Sequence, residues 1–330
     1  MGRANFLTRC FSFAIVAVSL GGVADATEQV SLFQRTLSTD LKDPVTLSVS
    51  ISRGNVEIGY ARDDEVAIYA SGQDASGKNL PEDFFEKNLV IDQKDNHVSI
   101  RDSPGPGSLL IDQKDNQVST RDSPDPDSLL SALYTINYRI DVPYRTEVDS
   151  TVSGIGNQTL TGVYGPARLV SGAGDISALY VRFALLEAKT GKGNISCTRC
   201  FGVNAETGEG NITLVDDGNS KAMVKTGRGR IEVGGVNGTF DGSTDVGMLH
   251  IKAVPSDDWQ LRSNSGNIRI ELPPEAKFEI DAHSDSGEVA VEREDMQKPD
   301  TDDVHKLHQQ VNGGGKHITA RSVKGSISIE

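Results

Sequence analysis

The residues able to do chemistry are few and scattered. Carboxylates are paired at Asp216-Asp217, Asp257-Asp258 and Asp281/Asp285, and two acids held close together are what glycoside cleavage needs for acid and base work. Asp repeated in solenoid turns also binds calcium, but the G-G-x-G-x-D pattern of such repeats is missing, and Asp suits a turn for its own local hydrogen bonding. Of the six histidines, His97, His250, His283, His305, His308 and His317, only His305 and His308 would share a helical face. Neither has an acidic or Cys partner at zinc-site spacing, so both read as solvent-facing. Trp259 beside Asp257 and Asp258 is the kind of ring a sugar stacks on, yet a lone Trp more often completes a core. No Gly-x-Ser-x-Gly elbow occurs, and the Gly-x-Gly turns lack the third glycine and following helix of a dinucleotide site. Asn157, Asn194, Asn211 and Asn237 begin N-x-S/T sequons and read as incidental turn residues. No catalytic, cofactor-binding or metal-binding set emerges, and the expectation is a protein that is not an enzyme and carries no cofactor.

The first residues bear on the compartment. Arg3 and Arg9 precede and enter an apolar stretch from Cys10 to Val23, and Ala24-Asp25-Ala26 supplies a small-x-small cleavage pattern. The stretch is shorter than the roughly 20 apolar residues of a spanning helix. Residues 1–26 are therefore expected to be a signal peptide cleaved before Thr27, leaving no spanning segment. The mature chain would be exported to the periplasm, cell surface or extracellular space. It would keep 31 Lys and Arg against 46 Asp and Glu, a net charge of −15, which disfavours nucleic acid and anionic membranes as partners. Cys197 and Cys200 alone would remain, and in an exported protein such a pair closes a local disulfide. A redox role would want the pair at a helix N-terminus, whereas it follows the strand-like Asn194-Ile195-Ser196.

An internal repeat organises the rest. The rungs run Ser171-Gly172-Ala173-Gly174-Asp175-Ile176, Thr190-Gly191-Lys192-Gly193-Asn194-Ile195, Thr207-Gly208-Glu209-Gly210-Asn211-Ile212 and Thr226-Gly227-Arg228-Gly229-Arg230-Ile231. Degenerate copies follow around Gly247, Gly266, Gly287 and Gly325, and earlier ones stand at Gly156 and Gly54. From Gly156 to Gly287 the spacings are 18, 19, 17, 19, 18, 19 and 21, and Gly325 lies 38 further on. Short alternating β-formers flank each glycine corner, so one repeat reads as strand, corner, strand and second turn. Stacked coils would place Ile176, Ile195, Ile212, Ile231, Leu249 and Ile268 in one column, each burial contributing roughly 1.5–3 kcal/mol. The predicted fold is all-β, a parallel β-solenoid of about 18–19 residues per coil over 151–330, continuous with a less regular β region over 27–150. Pro81 to Asn88 and Asp302 to Val311 are predicted short helices, and Lys298 to Gln310 a loop.

Residues 89–108 and 109–128 are tandem copies differing at five positions. One copy is expected to supply a strand and the other to bulge out.

Tyr134-Thr135-Ile136-Asn137-Tyr138-Arg139-Ile140-Asp141-Val142-Pro143, followed by Thr151-Val152-Ser153-Gly154, resembles the opening segment of the DUF4097 family, described as candidate adhesins of the bacterial envelope. The repeated T/S-G-x-G-N/D-I, the segment Asn267-Ile268-Arg269-Ile270-Glu271-Leu272-Pro273 and the closing Gly325-Ser326-Ile327-Ser328-Ile329 fit the same pattern. The resemblance spans roughly residues 45–330 and implies a β-helix-like solenoid with an adhesin-like role; the copy at 109–128 departs from it. It brings no functional residues, because the shared positions are corners and core. The leading expectation is a non-enzymatic binding or scaffolding protein with an unknown protein or polysaccharide ligand at the cell surface. Rivals are a carbohydrate-active β-helix lyase or hydrolase, and a self-assembling filament subunit with uncapped end coils.

Overall fold

The computed structural model describes residues 33–40, 42–61, 64–102, 134–215, 221–236, 238–299 and 303–330. The expected signal peptide, the second tandem copy, Asp216-Asp217 and Asn237 lie outside the described residues.

Each coil pairs a strand of about seven residues with one of four. Ala167–Ala173 turns into Ile176–Leu179, Leu185–Lys192 into Ile195–Thr198, Gly202–Glu209 into Ile212–Val215, and so on to Trp259–Ser265 and Ile268–Glu271. The long strands stack in parallel in one 13-stranded sheet and the short strands in another, their inward side chains sharing one core. Ile176 stands opposite Ile195, then Ile212, Ile231, Leu249 and Ile268, each at most 1% exposed. The predicted column is the core of the short-strand sheet.

The Ser/Thr, second Gly, Asn/Asp and Ile of the T/S-G-x-G-N/D-I repeat each have a structural task. The Ser or Thr hydroxyl, buried at the corner, donates to the key-glycine carbonyl one coil back: Ser171 to Gly156, Thr190 to Gly174, Thr207 to Gly193 and Thr226 to Gly210, at 2.8–2.9 Å. The key glycines lie over one another so closely that a Cβ on Gly210 would sit 1.9 Å from the Gly193 oxygen. The Asn or Asp side chain accepts the next coil's backbone N–H: Asn157 from Asp175, Asp175 from Asn194, Asn194 from Asn211 and Asn211 from Arg230, at 2.7–2.9 Å. Asn157, Asn194 and Asn211, which read as incidental, are therefore rungs of an amide ladder that satisfies backbone donors at the bend.

Both ends depart from simple stacking. The glycine column runs from Gly266 to Gly325 and only then to Gly287, because Ile327–Ile329 inserts between Ile268–Glu271 and Val289–Val291. The predicted helix over Asp302 to Val311, and the loop over Lys298 to Gln310, give way to a strand. Lys306–Val311 pairs antiparallel with Phe278–Ser284 and buries Leu307 and Val311. The cause is edge chemistry: the outermost parallel strand would otherwise present a bare row of amides. At the other end Phe33–Ser38 pairs antiparallel with Glu65–Asp74, and Leu89–Lys94 with His97–Asp102. The described tandem copy thus supplies a hairpin, following the expected short helix at Glu82–Asn88. Antiparallel strands close both sheets at the N-terminal end and the long-strand sheet at the other, where the short-strand sheet ends on the parallel strand Val289–Val291.

One buried acid lies in the N-terminal coils. Asp102, 6% exposed, accepts from the Ser52 N–H at 2.9 Å and from its hydroxyl at 2.5 Å with one oxygen, while the other oxygen has no partner among the described residues. Burial pushes its pKa up against those two hydrogen bonds. A raised folded-state pKa means the native state binds more protons than the unfolded chain, so this group's contribution to stability falls as pH rises through and above the ordinary carboxylate range. Asp102→Asn is expected to raise the melting temperature at pH 7, with the gain vanishing toward pH 3. A variant less stable than wild type at pH 7 would contradict this.

Candidate functional site

Among the described residues, the predicted chemical groups do not converge. Asp257 is tied to the Asp258 N–H at 3.0 Å, Thr239 at 3.2 Å and Lys316 at 3.4 Å. These bonds, the Asp258 N–H foremost, hold its pKa below the ordinary carboxylate range, which suits a fixed turn anion and not a proton donor. Asp258 accepts the His317 N–H at 2.9 Å. Asp281 pairs with Arg321, and Asp285 lies 2.9 Å from His283 Nε2, both on a solvated face. Trp259 is fully buried. His308 is exposed beside Glu279, and His305 meets the Gly287 carbonyl at 2.5 Å. His250 lies 2.9 Å from Glu271, which also pairs with Lys252 and Arg269. Among the described residues no group of three or more His, Cys, Asp or Glu is gathered as a metal site would require.

The feature that does stand out is the second corner, where short strands turn into long ones. Its inner side is anchored by Val163, Val181 and Cys200, all fully buried. Its outer side carries the rings of Tyr144, Tyr164 and Phe183, joined by Tyr60 at the end of Val56–Tyr60, all between 40% and 74% exposed. Successive ring centroids are 6.4, 5.7 and 5.7 Å apart, each pair edge to face, a favoured geometry for aromatic neighbours. Phe201, 38% exposed, occupies the next coil. Beside the row, the Arg199 guanidinium donates to the Tyr180 hydroxyl at 2.7 Å and lies 5.4 Å from its ring centroid, with Arg182 at 5.5 Å. Tyr180 thus carries two cation–π partners.

The corner is held rigidly. Tyr164 N–H donates to the Tyr144 carbonyl, Arg182 to Val163 and Phe201 to Val181, at 2.7–3.1 Å. Tyr180, Phe183 and Arg199 have φ of 58°, 64° and 58°, the left-handed region that costs a side-chain-bearing residue roughly 1–2 kcal/mol. Such conformations persist where surroundings over-determine them, and they gather at binding sites. Cys197 and Cys200 form a disulfide with Cα atoms 6.2 Å apart, closing the turn that contains Arg199.

Sequence reading passed over this row, although its signal is present. Tyr144, Tyr164, Phe183 and Phe201 are spaced 20, 19 and 18, the coil period itself. The glycines mark one corner at this period, and the aromatics share the period on the opposite corner.

Among solved structures, the chain is similar to a candidate adhesin from Bacteroides fragilis (13% identity, 92% of this chain and 97% of that chain, TM-score 0.40). It is also similar to a candidate adhesin from Parabacteroides distasonis (9%, 92% and 98%, TM-score 0.44) and a candidate lipid-binding protein from the same species (12%, 92% and 98%, TM-score 0.42). No curated protein matches the chain. These TM-scores are too low to carry an argument, so kinship rests on sequence. The sequence model of the Toastrack DUF4097 family matches residues 155–330, more than half of the chain, and the protein belongs to that family.

Proposed function

We propose that this is an exported, non-enzymatic envelope or secreted protein that binds a partner, adhesin-like, through the aromatic corner of its solenoid. The observation that carries the reading is the row of four exposed rings set on a corner that the fold holds rigid. Exposed aromatic surface is costly to leave in water unless it serves contact, and rigid aromatic side chains supply binding area at low entropic cost. Stacked coils repeat the row without new backbone design, which is how solenoids build extended binding surfaces.

The test is a triple variant, Tyr144→Ala, Tyr164→Ala and Phe183→Ala, compared with wild type on an array of immobilised glycans and peptides. The rings are exposed, so the variant should keep its melting temperature within a few degrees. Targets retained by wild type should be lost at least tenfold, since central aromatic contacts dominate interface energetics. An unchanged binding profile in a folded variant would refute the corner as the site.

A further inference from the structure

We propose that the ligand of the aromatic corner is an uncharged polysaccharide chain, held between the ring row and the adjoining outer face of the short-strand sheet; this rests on the reading of the corner as the binding site.

The sheet face supplies the first argument. The strands Gln158–Thr161, Ile176–Leu179, Ile195–Thr198 and Ile212–Val215 lead toward the corner, and in each the buried residues alternate with outward ones. The outward positions stack in two columns. One is Thr159, Ser177, Ser196 and Thr213; the other, nearer the rings, is Thr161, Leu179, Thr198 and Val215. None of the eight is charged, in a chain where 24% of residues are, and six carry hydroxyls. The patch ends at Glu57 on one side and Glu232 on the other. The long-strand face differs: over the same coils Arg168 lies between Asp149 and Glu187, and Lys189 between Glu187 and Glu206.

Charge at the corner itself is mixed. Arg145, Arg182 and Arg199 lie along it, while Asp63 and Asp64 follow Tyr60 and Asp216 and Asp217 occupy the next turn. On the far side of the face, the Asp175 carboxylate is taken up by the Asn194 backbone and side-chain amides. A polyanion would meet hydroxyls without a cation among them, on a chain of net charge −14. A polycation would find no anion on the same face. Hydroxyls donate and accept alike, which matches the hydroxyls of a neutral sugar.

The rings supply the second argument. Neighbours in the row stand at 79°, 75° and 84° to one another. Perpendicular neighbours cannot both turn a face to one ligand, so the row offers at most every second ring as a face and the others as edges. An aromatic face is negative and its edge positive; the first attracts polarised C–H groups and the second attracts oxygen. A pyranose chain carries both along its length, whereas an acyl chain carries only C–H. A membrane surface would also call for a broad apolar face.

Area is the third. Four strands about 4.8 Å apart, each four residues long, cover about 250 Å². A stable protein interface takes about 800 Å² from each partner, so the patch, even doubled by the rings, is small for a folded protein or a second copy of this chain. A linear chain lying across the coils needs no more.

The test measures binding of the full chain to a soluble β-glucan, a galactomannan and an arabinoxylan, all uncharged, and to polygalacturonate and vesicles of zwitterionic lipid. The wild type should bind at least one neutral polymer, at least fivefold more tightly than polygalacturonate, and should not retain vesicles. That affinity should change less than about twofold between about 0.01 and about 0.15 M salt, over which the screening length falls about fourfold. Tyr164→Ala should weaken it about five- to tenfold. Ser177→Arg combined with Thr213→Arg, both outward on the face, should weaken it at least fivefold and keep the melting temperature within a few degrees. Met223→Ala, exposed on the long-strand face, should change nothing. No binding of any neutral polymer, polygalacturonate or vesicles bound as tightly, affinity that falls with salt, or full affinity in the folded double variant would each overturn the assignment. A dimer in sedimentation that the double variant dissolves would overturn it too, in favour of a second copy. Should the double variant not fold, the polymer and salt comparisons on wild type decide. If ring variants still lose other array targets, the corner remains the site with a different ligand; if they lose none, both readings fall.

Discussion

Gly210→Ala is expected to destabilise the protein by about 3 kcal/mol or more, because it combines two penalties that neither neighbour can relieve. The new Cβ would lie 1.9 Å from the Gly193 oxygen and 2.5 Å from its carbon, backbone atoms fixed by their own coil. The native φ of +155° is one that side-chain-bearing residues rarely adopt. Gly210 is also bonded twice to the following coil: its N–H donates to the Arg228 carbonyl at 2.8 Å, and its carbonyl accepts the Thr226 hydroxyl at 2.8 Å. Displacing it loosens both bonds. Gly234→Ala is the matched control, since nothing lies within 4 Å of a Cβ there. It should be neutral or stabilising by up to about 1 kcal/mol. Urea unfolding followed by far-UV circular dichroism measures both. A cost below about 1 kcal/mol at Gly210 would mean the coils are not in the register described.

The same corner shows why much of this fold was legible from sequence. A parallel stack imposes one chemical demand on every coil at the same position, so each demand recurs at the coil period: a hydroxyl at Thr190, Thr207 and Thr226, a glycine at Gly193, Gly210 and Gly229, an amide at Asn194 and Asn211, an aliphatic at Ile195, Ile212 and Ile231. What was not legible is what does not repeat. The insertion of Ile327–Ile329 between coils 266 and 287 satisfies the same glycine rule as sequential stacking, so spacing alone leaves the order undecided. The strand Lys306–Val311 falls where a short helix over Asp302 to Val311 was expected; its strand character comes from Phe278–Ser284, 22 residues or more away in sequence. The contact of Arg199 with Tyr180 depends on neighbouring coils meeting, which single-residue patterns do not report. The aromatic row lay between these cases: periodic, and visible once the second corner is read as carefully as the first.

Trp259→Ala should cost about 3–5 kcal/mol, the usual loss for a large aromatic removed from a core. The ring is fully buried, stands in register between Phe240 and Ile318 in the long-strand sheet, and donates from Nε1 to the Gly238 carbonyl at 3.3 Å. Trp259→Phe keeps most of the apolar volume but leaves that carbonyl without its donor, and should cost about 1–2 kcal/mol. Were Trp259 a sugar platform, as its place beside two aspartates invites, alanine would instead lower affinity and spare stability. The decisive measurement combines Trp259→Ala with Gly210→Ala. The strand beginning at Trp259 lies three strands beyond Gly202–Glu209, about 14 Å at ordinary strand spacing, and stacked coils touch only their neighbours. The two losses should therefore add to within about 0.5 kcal/mol. A coupling of 1 kcal/mol or more would show that strain travels along the column, and that the coils unfold as one rigid block instead of as neighbours in a chain.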